Sequence, residues 1–141
     1  MIDIENKVID VVITQVTAAF PGCLVSSEPF RAPSQFPCVS IEEKDNSVYR
    51  RSRTLDCTEN HASVMYEINV YSNKDGDKKA EAKSILAVVD DTMTKLGFER
   101  TFSNPIPNEE LTIYRIYARY AGIVSKGQVE GNKIIHKIYK A

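Results

Sequence analysis

A chain of 141 residues, 43% hydrophobic and 26% charged, is long enough for one domain with its own core and too apolar for wholesale disorder. Eighteen basic against nineteen acidic residues leave a formal charge of -1, which excludes a global field able to hold a polyanion and makes any attraction to nucleic acid local. Cys23, Cys38 and Cys57 form no C-x-x-C pair and cannot all be bridged within the chain, which fits a reducing compartment, and no apolar run approaches the ~20 residues of a membrane span.

The first element follows from Ile9, Ile13, Val16 and Phe20 at helical spacing, with Val8 and Val12 beside them. Asp3 is the candidate N-cap of this helix and Pro21-Gly22 its stop. "CLVSS" and "PCVSIEE" read as short strands separated by the proline-rich "EPFRAPSQFP", which cannot continue a ladder. From His61 to Ser72 the alternation is strict, with Val64, Tyr66, Ile68 and Val70 on one face and Met65, Glu67, Asn69 and Tyr71 on the other; one face is core and the other at least partly wet. "NKDGD" turns the chain into a second helix, with Ala82, Ile85, Leu86, Val89, Met93 and Leu96 as its apolar stripe and Gly97 as its left-handed C-cap.

"FERTFS" is a further strand and "NPIPNEE" a proline-stiffened loop. "LTIYRIYARYAGIVS" is a long strand with Thr112, Tyr114, Ile116, Ala118, Tyr120 and Gly122 on one side, and "VEGNKIIHKIYK" is expected to be its hairpin partner across "SKGQ". The order α-β-β-β-α-β-β-β groups strands in runs, so the expected class is α+β, one domain over residues 1–141, with a mostly antiparallel sheet, two helices on one face, and projecting hairpins. A strand of twelve to fifteen residues reaches ~40 to 50 Å, whereas a compact domain of this size is ~37 Å across. Such strands bend or project, and projecting hairpins leave edges that proteins cover, charge, or use to bind another chain.

Motifs that would carry chemistry fall short. A Cys3His zinc site from Cys23, Cys38, Cys57 and His61 lacks the close cysteine pair such sites use. His61 and His136 stand outside any nucleophile or carboxylate motif. Asn73, Asp75 and Asp77 mimic the start of a calcium loop, but Lys78 and Ser84 occupy the places of the required glycine and bidentate glutamate. Asp75 or Asp77 is instead the expected cap of the second helix. Asp90 and Asp91 diverge by about 100 degrees on that helix and make a poor acid/base pair. The glycines match no phosphate-binding loop. No catalytic, metal or cofactor residue is therefore assigned. "YRRSR" supplies the candidate interaction residues, Arg50, Arg51 and Arg53, whose guanidinium groups suit carboxylates or phosphates. Asp45, Asp56 and Glu59 flank them, so the local excess is small. Residues 1–30 are mainly acidic and residues 126–141 mainly basic, a polarity that would suit head-to-tail contact between copies.

The helix, "FPCVSIEEKDN", the polar loop, "ENHASVMYEINVYSN", the amphipathic helix, "LGFER" and "YRIYARYAGIVS", with short phrases such as "YEINVYS" and "RYAGIV", together resemble the tail terminator (tail completion) proteins of long-tailed bacteriophages and prophages over about residues 1–125. "GQVEGNKIIHKIYKA" has no counterpart in that resemblance. It implies a non-enzymatic virion protein of the tail or neck, made in the host cytoplasm and needing no cofactor. Such a protein forms a ring, a hexamer in that family, on the end of the tail tube, stops tube polymerisation and meets a head-side connector protein. A flexible hairpin would fall at residues 44–60, with Arg50, Arg51 and Arg53 at the tube joint or the wall of a channel through which DNA passes. A small nucleic-acid-binding module using the Arg50–Arg53 loop, or another neck component, is the alternative; an enzyme would need a convergent polar pocket.

Overall fold

In a computed structural model of the chain, the residues described are 2–28, 35–49, 61–107, 112–125, 129–130 and 133–134. They form α1 (Glu5–Ala19), β1 (Leu24–Ser26), β2 (Cys38–Val48), β3 (His61–Ser72), α2 (Lys78–Leu96), β4 (Glu99–Ile106) and β5 (Tyr114–Ser125), followed by the two-residue strands β6 (Val129–Glu130) and β7 (Lys133–Ile134). The main sheet has the order β1-β2-β3-β5-β4. Only β1 and β2 run parallel; the other neighbours are antiparallel. The fold is α+β, an open five-stranded, mostly antiparallel sheet with both helices packed against it.

One face carries the core. Val39 and Ile41 of β2, Tyr66 and Ile68 of β3, and Ile116 and Ala118 of β5 meet Val8, Val12 and Val16 of α1 and Ile85, Val89 and Met93 of α2. All six apolar positions expected on α2 are buried. Its end is built as expected: Gly97 has φ 100° and donates its N–H to the Thr94 carbonyl, while Phe98 donates to Met93, which satisfies two carbonyls that a helix end otherwise leaves open. Gly122 is demanded by packing, because a Cβ there would lie 2.7 Å from the Phe98 ring. That ring stacks edge-on against Tyr66 with centroids 5.5 Å apart.

Several local expectations need correction. Ile13 is 36% exposed, because α1 centres its buried stripe on Val8, Val12 and Val16 and Ile13 falls roughly 90 degrees round the helix from that centre. Ile4 holds the N-cap position of α1, and Asp3 accepts the Glu5 N–H from just outside it, at 3.1 Å. Asp77 does occupy the N-cap position of α2, yet its carboxylate makes no capping bond; the Asp77 carbonyl accepts from Glu81, and the side chain lies 3.7 Å from Lys74 Nζ. Among the described residues, the long strand β5 does not hairpin with the C-terminal segment. β3 pairs along its whole length and β4 takes the other edge as far as Ala121, while β6 pairs with β7 in a separate ladder. A strand has two edges, and both were already claimed over most of β5.

Candidate functional site

Two features of the sheet reach beyond what the core requires. The first is the arm made by the far halves of β2 and β3. β2 is buried from Cys38 to Ile41, then becomes exposed from Lys44 onward, except for the half-buried Asn46. The register shifts between Glu43 and Asp45, and pairing then continues out to Val48 opposite Ala62. Tyr49 donates its N–H to the His61 carbonyl at 2.9 Å, and the two rings meet edge-on. Residues 44–48, part of the flexible hairpin or loop expected at residues 44–60, thus belong to a strand. Arg50, Arg51 and Arg53, the remainder of that expected loop, lie outside the described residues. Val48 at 40% exposure is one of two large apolar side chains left open among the described residues.

The second feature is the face of the sheet that carries no helix. Period-two alternation puts Glu42, Glu67, Arg119 and Phe102 side by side across four strands. Arg119 bonds Glu67 at 3.2 Å and stacks over the Phe102 ring at 5.3 Å, and Lys44 bonds Glu42 at 2.8 Å. Two rows along, Arg115 donates twice to Asn69 Oδ1, at 3.1 and 3.0 Å, and lies over the Tyr71 ring. Phe102 and Tyr117 stack edge-on between the two rows. Both guanidinium groups are therefore held flat by an aromatic face and an oxygen acceptor, which leaves them oriented and part-exposed. Towards β1 this face is closed: Cys38, Ser40, Asn69 and Tyr71 are buried, and Ser40 Oγ has no hydrogen-bond partner.

The polar groups on the helix side serve as clasps. Tyr66 donates to Glu43 Oε1 at 3.4 Å, and Asn46 donates to the Ile2 carbonyl at 2.7 Å, tying the segment before α1 to the arm. Burial, followed by a shared hydrogen bond with the Glu5 carboxyl and the charges of Glu5 and Asp3, pushes the Glu43 carboxyl up to about 7; the Tyr66 hydroxyl opposes the shift. Tyr120 donates to Asp90 Oδ1 at 2.8 Å, and Arg100 reaches the same oxygen at 3.2 Å. Beside this second clasp a groove of about 770 Å³ runs between α2 and β4. Leu86, Ile116 and Pro105 line its apolar part, and Lys79 and Lys83 stand on its helix wall.

The residues considered for chemistry do not converge. Among the described residues no three His, Cys, Asp or Glu side chains are grouped to hold a metal ion. Cys57 and His136 lie outside the described residues. Burial pushes the Cys23 thiol up to about 11 and the Cys38 thiol up to about 12, which suppresses the thiolate that metal binding or nucleophilic attack requires. Burial also lowers the pKa of His61, whose Nδ1 has no hydrogen-bond partner. No helix among the described residues is long and apolar enough to cross a membrane. Reading the sequence missed the pairing of Arg115 with Asn69 and of Arg119 with Glu67, partners 46 and 52 residues apart. The alternation of β5 was a sufficient signal that both arginines share a face; the register that supplies their partners was not in the local pattern.

No protein-family profile matches the chain, and a search of curated proteins finds no significant match.

Proposed function

We propose that this protein is a structural subunit of a phage or prophage tail, forming a ring that ends the tail tube and presents a surface for head joining. The observation that carries the reading is the β2–β3 arm. From Lys44 to Val48 the chain is ordered into a paired strand while four of these five residues remain exposed. Ordering a residue costs about 1 to 2 kcal/mol of backbone entropy, and a partner chain that covers the arm supplies the burial the subunit itself does not. The helix-free face supports a protein partner over nucleic acid. Its arginines already face Asn69 and Glu67, and Glu42 lies in the same row, so no continuous positive track follows the strands for a phosphate backbone. The resemblance in element order and in "YEINVYS" and "RYAGIV" supplies the identity of the partners: sister copies, six of them by that likeness alone, the tube protein, and a head-side connector.

Strand addition is not the favoured mode of contact. β1 has three residues, and the outer edge of β4 is interrupted by a bulge between Arg100 and Phe102 and by Pro105. Short edges, bulges and prolines are devices that discourage pairing with another chain. Contact through the arm and through side-chain faces remains. Replacing Arg50, Arg51 and Arg53 together with serine tests the docking role proposed for these arginines. The subunit is expected to fold with an unchanged unfolding midpoint, while joining of tails to heads, counted by electron microscopy of assembled particles, falls at least tenfold. Normal numbers of joined particles would remove the docking role. Salt-sensitive binding of DNA by the isolated subunit would favour the nucleic-acid module instead.

A further inference from the structure

The helix layer covers the sheet unevenly. α1 contacts β1 and packs beside α2, which in turn lies across β3, β5 and the margin of β4. Helices pack about 8 to 10 Å apart and strands about 4.8 Å apart, so two helices roof about four strands of five. The uncovered strand is β4. Its side chains on the helix side are Arg100, Ser103 and Pro105, none of them a large apolar residue that a roof of its own would require. The groove between α2 and β4 is the space left by that missing roof, closed at one end where Arg100 and Tyr120 meet Asp90.

We propose that α1 of a second copy fills this groove, so that the helix layer continues from one copy to the next; closure of the series rests on the ring reading above. Three observations select this occupant. The exposed flank of α1 carries Ile13, the one large apolar side chain left open on a helix among the described residues, and the apolar lining of Leu86, Ile116 and Pro105 is its complement. Charge matches as well. Lys79 and Lys83 are exposed at successive turns of α2 and have no ion-pair partner among the described residues, while α1 presents Asp10 one turn before Ile13, with Asp3 at its start and only Lys7 opposing them. Position completes the case. α1 lies towards the β1 side of the sheet and the groove lies at the β4 side, so the two surfaces sit on opposite flanks and their contact is head-to-tail. Contacts of that type generate rings when the rotation closes, whereas a two-fold contact of groove on groove would bring Lys79 and Lys83 against their own copies.

Charge reversal on the full chain is the test, read by sedimentation equilibrium. Lys79→Glu with Lys83→Glu forms one variant, Asp10→Lys a second, and the three changes together a third; circular dichroism verifies the fold of each. About tenfold weaker self-association is expected for each of the first two, equivalent to 1.4 kcal/mol, with recovery in the combined variant. Ile13→Ser is expected to weaken association further, independent of charge. Self-association that none of the variants alters would overturn the α1–groove contact and leave the ring reading standing with another interface. A wild-type chain that stays monomeric at about 1 mM would also overturn this contact, and the ring reading would then be decided by the particle-joining assay.

Discussion

On the helix side of the sheet, Val39, Ile41, Tyr66, Ile68 and Val70 are sealed from water, whereas on the opposite side the same two strands carry Glu42, Met65 and Glu67, all part-exposed. The backbone is shared; only the parity of the residue differs. The two faces therefore divide the work: one supplies the burial that drives folding, and the other holds oriented arginines and aromatic rings that cost little to leave in water. The division is incomplete at the end near β1, where Cys38, Ser40, Asn69 and Tyr71 are buried on the helix-free side. The part of that face available to a partner is thus its β5–β4 side, around Arg115, Arg119, Phe102 and Tyr117.

The sharpest way to break the comparison is to truncate one residue on each face. Ile68→Ala is expected to cost about 3 to 4 kcal/mol through lost burial and a residual cavity. Tyr117→Ala removes an edge-on ring pair with Phe102 and is expected to cost about 1 kcal/mol. Urea unfolding of both variants checks the difference, and equal costs would mean that the two faces contribute alike.

A smaller effect probes how tightly the helix side is fitted. Gly122→Val sets a branched side chain where even a Cβ approaches the Phe98 ring to 2.7 Å, so the ring and its contact with Tyr66 must shift. A loss of about 1 to 3 kcal/mol is expected from overpacking. A thermal midpoint equal to that of the parent would show that the ring has room to move.

The smallest effect concerns the clasp at the foot of the arm. The Glu43 carboxyl is raised from 4.5 to about 7, so the folded chain holds this proton more tightly than the unfolded chain. Its contribution to stability is full below about pH 4.5 and is lost as pH rises through about 7. Glu43→Gln imitates the protonated form. The variant is expected to lose less stability than the parent between pH 5 and pH 8 and to exceed it at the upper end, as read from urea midpoints across that span. A parent and variant with parallel pH profiles would locate the titration elsewhere.

Much of the architecture was legible in the sequence itself. The stripe of α2, the Gly97 cap and the alternation of β3 are local patterns whose periods are fixed by helix and strand geometry. Where expectation failed, a competing partner decided. Asp77 forgoes capping while its carbonyl bonds Glu81 and its side chain approaches Lys74. Ile13 sits on the helical period but off the centre of the stripe that the sheet selects. The interaction surface was only half legible: composition exposed the arginines of residues 50–53, which lie outside the described residues, but gave no hint that Arg115 and Arg119 would be clamped by rings on two strands.

Periodicity and turn chemistry alone established the element types, their order, and which residues within each strand share a side, because those properties depend on neighbours within a few positions. Tertiary structure alone decided that β5 lies between β3 and β4, that β4 lacks a roof, and that carboxylates and arginines distant in sequence become neighbours. Register is a competition among whole strands for edges and burial, and no short window of residues contains all the competitors.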